Sequence, residues 1–188
     1  MKKEDFLQSL NDLNMLIEKM PDFYDKIAAV SLKIIESFNS GGKLLIFGNG
    51  GSAADAQHMA AEFINRFLKE RRPLPAIALS TDTSNLTSIS NDYSFDDVFS
   101  KQVEALAKAN DVVLGISTSG NSKNVYNAVL SANNIGSLSV GLLGGDGGDI
   151  AAVCKKSIIV PSYDTPRIQE MHIFIIHTIC QFVEDAFV

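Results

Sequence analysis

The stretch Lys43-Leu44-Leu45-Ile46-Phe47, running into Gly48-Asn49-Gly50-Gly51-Ser52, decides the fold. Its first half follows the helix-ending pair Gly41-Gly42 and is a short apolar run, the pattern of a strand buried on both faces. Its second half is a glycine-rich turn, after which a helix is predicted to begin near Ala53. Strand, tight turn and helix form the repeating unit of a parallel sheet.

Outward from this unit the pattern recurs. Ala76-Ile77-Ala78-Leu79, Val112-Val113-Leu114-Gly115-Ile116, Leu138-Ser139-Val140-Gly141-Leu142 and Ser157-Ile158-Ile159-Val160 alternate with helical stretches at 52–69, 95–108, 122–134 and 166–187. Upstream, Leu7, Leu10, Leu13 and Ile17, then Phe23, Ile27, Val30 and Ile34, recur at helical spacing, with a break expected at Pro21. The reading is α/β: a three-layer α/β/α sandwich on a five-stranded parallel sheet with right-handed crossovers, preceded by amino-terminal helices. The Gly144-Gly145-Asp146-Gly147-Gly148 cluster reads as a tight loop between strand and helix. With 188 residues and no linker rich in proline, glycine or serine, one domain over 1–188 is expected, a helical segment at 1–40 and a core at 41–188.

Composition removes several classes of function. Hydrophobic residues at 46% and charged residues at 20% disfavour disorder, and a net charge of −6 repels nucleic-acid backbones, so no nucleic-acid partner is expected. Cys154 and Cys180 show no metal or redox spacing and read as buried reduced thiols. The amino terminus lacks the apolar core of a secretory signal, and the most apolar segment, 168–183, is too short and too polar to span a bilayer. A cytoplasmic protein with no membrane partner is therefore expected.

Ligands of open parallel sheets sit beyond the carboxyl ends of the strands, so the chemistry belongs in the loops there. Gly48–Ser52 opens a helix whose free amide groups attract anions, although it is neither a dinucleotide fingerprint nor a Walker loop. Ser52-x-x-Asp55 also fits a capping box. After the third strand, Ser117-Thr118-Ser119-Gly120-Asn121-Ser122 gathers four hydroxyls ahead of another helix, a neutral donor set suited to a phosphomonoester. His58 and Glu62 share one helical face and could bind metal or move protons. In the last helix, which Thr165 is expected to cap ahead of Pro166, Gln169, His172 and His177 can share a broad face, and spacing does not choose between the histidines. Turn chemistry accounts for Asn91-Asp92 in a loop after 82–90, and Arg66, Arg71 and Arg72 read as solvated side chains closing a surface helix.

With these residues in view, the sequence resembles the sugar isomerase (SIS) domain family, whose fold is of flavodoxin-like architecture. The likeness rests on Gly48–Ser52, His58-x-x-x-Glu62, Gly115–Ser122 and Asp164-Thr165-x-Arg167-Ile168-Gln169-Glu170 followed by His177, and it spans nearly the whole chain. It implies substrate binding at Gly50, Gly51, Ser52, Glu62, Asn91, Asp92, Ser117, Thr118, Ser119, Ser122 and Gln169. It implies a catalytic pair, Glu62 and His177, and a zinc ion held by His58, Glu62, Gln169 and His177. The implied reaction interconverts D-sedoheptulose 7-phosphate and D-glycero-D-manno-heptose 7-phosphate, a step toward bacterial surface heptoses, in a homotetramer with active sites between subunits. Two other readings come with the same family: a non-catalytic partner of the replication initiator, which the resemblance describes as lacking the acid/base pair that Glu62 and His177 supply here, and a sugar-phosphate sensor.

Overall fold

Two helices, α1 (Lys3–Ile17) and α2 (Tyr24–Asn39), precede the sheet, separated by a single 3-10 turn at Met20–Phe23 in which Pro21 occupies the first turn. The computed structural model describes residues 2–188. From there the chain alternates β1 (Leu44–Gly48), α3 (Gly51–Ile64), β2 (Ala76–Ala78), α4 (Thr83–Asp92), α5 (Ser100–Leu106), β3 (Val112–Ser117) and α6 (Lys123–Ile135). It closes with β4 (Leu138–Gly144), α7 (Gly148–Val153), β5 (Lys156–Val160) and α8 (Thr165–Glu184).

All five strands are parallel, in the order β2-β1-β3-β4-β5. Alternating side chains divide between two cores. Leu44 and Ile46 of β1 pack with Ile34, Met59, Phe63, Ile175 and Ile179, from α2, α3 and α8. Leu45 and Phe47 point the other way, to Phe99, Val103, Val125 and Val129, from α5 and α6. Both faces are thus covered, which is why the strands read as continuous apolar runs. The three-layer α/β/α expectation describes this architecture.

Four local expectations need correction. The helix after β1 stops at Ile64 rather than reaching 69, so the arginines beyond it are not helical. The stretch expected as a helix at 95–108 is a 3-10 turn at Phe95–Asp97 followed by the seven residues of α5. Asn91 and Asp92 lie in the last turn of α4 rather than in a loop. That segment is rich in serine, threonine and asparagine, which favour caps and turns, but the Asp82 side chain accepts the Asn85 N–H and starts the helix. The capping roles given to Ser52 and Thr165 also fail: Gly50 and Asp164 hold the cap positions, and neither makes a side-chain cap bond.

The strand order reverses beside β1, so the crevice beyond the ends of β1 and β3 is the place for a ligand. Glycine is required there. Gly120 has φ +69°, and a Cβ on it would collide with the Gly147 carbonyl of the neighbouring loop. Among the described residues no helix is long and apolar enough to cross a membrane. Both cysteines are free, and burial pushes the Cys154 thiol up to about 12.

Candidate active site

Two clusters occupy the two ends of α3. At its amino end the chain leaves β1 through Gly50, whose φ of +57° is open to glycine at little cost. This conformation lets the first turn of α3 start with Gly51 pressed under the Gln169 side chain of α8; a Cβ on Gly51 would strike that amide. Ser52 is buried just behind. Beside it the β3 loop folds on itself: Ser117 Oγ stands 3.0 Å from Ser122 Oγ and 3.5 Å from Ser119 Oγ, while Ser119 Oγ accepts the Asn121 N–H. Ser122 holds the cap position of α6 but makes no cap bond, so its hydroxyl joins this group instead. The loops are tied together by reciprocal amide bonds of 2.9 Å between Asn49 and the buried Asn124. Hydroxyls and helix-start amides so arranged suit a phosphate.

Toward the carboxyl end of α3 three side chains converge. His58 Nε2 lies 3.2 Å from Glu62 Oε1, one turn on, and 3.1 Å from His177 Nε2 of α8. Parallel packing of α3 and α8 makes the meeting possible, since each helix starts beyond the carboxyl end of a strand in the same parallel sheet. The Phe67 ring lies 5.5 Å from the His177 ring, centroid to centroid, and covers one side of the cluster. Asp55, one turn before His58, carries a carboxyl pushed up to about 6 by burial, against the opposing pull of the His58 imidazole.

The structure separates the histidines that spacing left together. His172 faces the core, fully buried, with Nε2–H donating to the Leu143 carbonyl and Nδ1 without a partner. Burial, only partly offset by that bond, lowers it to about 4, so it is neutral at physiological pH. His177 is the histidine that meets His58.

Not every expected residue joins a cluster. Asn91 and Asp92 bond to each other, Nδ2 to Oδ1 at 2.9 Å, on the exposed end of α4. Gln169 belongs to the amino-end cluster, eight residues and about 12 Å of helix rise before His177. The donor chemistry at His58, Glu62 and His177 suits zinc. Neighbouring ligands of a tetrahedral zinc stand roughly 3.3 Å apart, close to the two spacings around His58 Nε2. Among the described residues, however, no three or more His, Cys, Asp or Glu side chains already form a group able to hold a metal ion.

Comparison with known proteins follows the same pattern. The SIS domain profile matches residues 8–144. The phosphoheptose isomerase of Pelobacter propionicus is 54% identical over 184 residues, 97% of each chain. This chain belongs to the phosphoheptose isomerase family of SIS-domain proteins. A phosphoheptose isomerase structure from Neisseria gonorrhoeae superposes with a TM-score of 0.91 at 42% identity, over 97% of this chain and 98% of that one. One from Francisella tularensis gives 0.90 at 34% identity, over 98% and 100%. Phosphoheptose isomerases thus share the whole architecture, amino-terminal helices included.

Three residues escaped the sequence reading. Arg71 is not solvated: its side chain is fully buried beside Glu184. Asn124 was hidden inside a helix start. The offset of seven from His177 to Glu184, two turns down one helix, was the available signal for Glu184.

Proposed function

We propose that this isomerase interconverts D-sedoheptulose 7-phosphate and D-glycero-D-manno-heptose 7-phosphate, in the cytoplasm, supplying heptose for the bacterial cell surface. The observation that carries the reading is the convergence of Glu62, His58 and His177, from helices far apart in sequence, on the helix that begins at the glycine turn beside the hydroxyl-rich loop.

Phosphate binding falls to the amides of Gly50 and Gly51 and to Ser52, Ser117, Thr118, Ser119 and Ser122, with Gln169, which lies against Gly51, contributing to the sugar. This anchoring turns an encounter of base and carbon into a positioned, effectively unimolecular step. Glu62 acts as general base and removes the C1 proton of the ketose. Glu62 returns a proton to C2 of the resulting enediolate, and His177 moves the proton from the C1 oxygen to the C2 oxygen, leaving an aldehyde at C1 and a hydroxyl at C2. His58, Glu62 and His177 would hold zinc; the ion would supply Lewis-acid polarisation of the carbonyl. We read the enzyme as a homotetramer with sites between subunits. Support comes from the half-exposed His58 and from the apolar groove of Leu13, Ile17, Met20, Met171 and Phe174 between α1 and α8.

Incubation with sedoheptulose 7-phosphate, followed by proton NMR, tests the reaction directly. An aldose signal is expected; its absence at high enzyme concentration, with and without added zinc, would overturn the assignment. Light scattering reads the assembly, and a monomer at working concentration would remove the intersubunit site. The sensor and initiator-partner readings have no comparable support: the catalytic pair is kept, and the relatives at 54% identity are isomerases.

A further inference from the structure

Below the acid/base cluster lies a charged pair that the reaction scheme does not use. Glu184 ends α8, seven residues after His177, with its side chain 1% exposed. Its carboxylate accepts the backbone N–H groups of Phe67, Leu68 and Lys69 at 2.8, 2.7 and 2.9 Å. Arg71 Nε stands 3.5 Å from it. Burial alone would raise the Glu184 carboxyl, but the three N–H donors and the Arg71 charge outweigh it and hold the group below its ordinary range.

The Arg71 guanidinium spends its donors elsewhere. Nη2 donates to the Glu62 carbonyl at 2.7 Å, and Nη1 to the carbonyls of Phe63, Asn65 and Arg72 at 2.8, 3.0 and 3.0 Å. The carbonyls of Glu62 and Phe63 belong to the last turn of α3, where no helical N–H remains to bond them. Neither glycine nor a basic residue of the last turn ends this helix, so the distant Arg71 does the capping.

We propose that Arg71 and Glu184 are positioning residues for catalysis: a buried latch that fixes the Glu62 peptide against the histidine side of the site. The latch has two arms. Arg71 grips the carbonyl of the catalytic residue itself. Glu184 grips the N–H of Phe67, whose ring packs on His177. Stability alone is a poor reason for such a pair, because replacing buried ions by apolar residues of similar volume is often neutral or stabilising. The details agree with this: Arg71 Nε has no hydrogen-bond partner, so the guanidinium is oriented for carbonyls at the expense of its ion pair.

The inference rests on the isomerase reading, and its test separates the two. Arg71→Lys keeps the charge but cannot reach several carbonyls at once; Glu184→Gln changes the charge with little change of shape. For each variant kcat, KM for sedoheptulose 7-phosphate, thermal unfolding and the ring signals of His58, His172 and His177 are measured. The expected result is a kcat lowered on the order of tenfold or more, with KM within about twofold, because the phosphate end of α3 is untouched. The His58 and His177 signals move and that of His172 does not. Unaltered kcat with only a lower melting temperature, or movement of all three histidine signals together, overturns the latch. Should Arg71→Lys not fold, Glu184→Gln decides by the same readouts. Should the wild-type enzyme fail to isomerise the sugar, the function falls while the histidine signals still test the latch.

Discussion

The two ends of α3 are built by different means. Its amino end is local: a five-residue glycine turn and a six-residue hydroxyl loop supply nearly all of the proposed phosphate-binding groups, and little more than the sheet is needed to bring them together. Its carboxyl end is assembled over long range. His58 meets a residue 119 positions away, and the loop at Phe67–Lys69 is held by a carboxylate 115 to 117 positions away. About 15 Å of helix rise lies between Ser52 and Glu62, the length over which anchoring becomes chemistry. Binding and turnover should therefore be separable by mutation, end by end.

The largest effect should come from the carboxyl end. Glu62→Gln keeps shape and hydrogen bonding but cannot take a proton from carbon. Turnover should fall by at least about two orders of magnitude, the usual scale of general base catalysis, while KM changes little. Circular dichroism and melting temperature check that the fold survives. Near wild-type kcat would return the comparison to its start, with the reaction seated elsewhere.

This division also governs what could be read without coordinates. The strand pattern of 44–48, 112–117, 138–144 and 156–160 was legible because parallel strands buried on both faces are simply apolar. The hydroxyl loop was legible because its partners are neighbours in the chain. His177 could not be told from His172 by spacing: five residues on a helix differ by about 140°, and only the position of the sheet decides which one faces Leu143. Arg71 was misread for the same reason. An arginine just past a surface helix is solvated unless something folds over it, and the covering element, the end of α8, lies more than a hundred residues on. The end of α3 at Ile64 is capped by Arg71, which is buried there beside Glu184, a group outside any local window.

A smaller effect is expected at the amino end. Asn124→Ala leaves Asn49 without its two amide bonds in a half-buried place, which costs about 1–3 kcal/mol. Because Asn49 sits within the turn proposed to bind the phosphate, the loss should appear as KM raised several-fold with kcat nearly kept. Steady-state kinetics beside chemical unfolding would show both. A drop in kcat with KM constant would mean that the two ends of α3 are not independent, and that the latch is transmitting more than position.

The smallest effect on turnover sharpens the comparison within α8, between the histidine that serves the site and the one that serves the core. His172 is depressed to about 4 in the folded protein by burial, against about 6.5 when unfolded. The unfolded chain therefore binds more protons between those values, so His172 contributes stability above pH 6.5 that is lost as the pH falls toward 4. Each unit in that window should cost on the order of 1 kcal/mol. His172→Gln can keep a donor for the Leu143 carbonyl and cannot titrate. Its unfolding free energy should be flatter than wild type from pH 6.5 to 4, with turnover at neutral pH unchanged. Parallel curves for the two proteins would show that His172 is solvated or paired in solution, and would remove it as the internal reference against which the signals of His58 and His177 are judged.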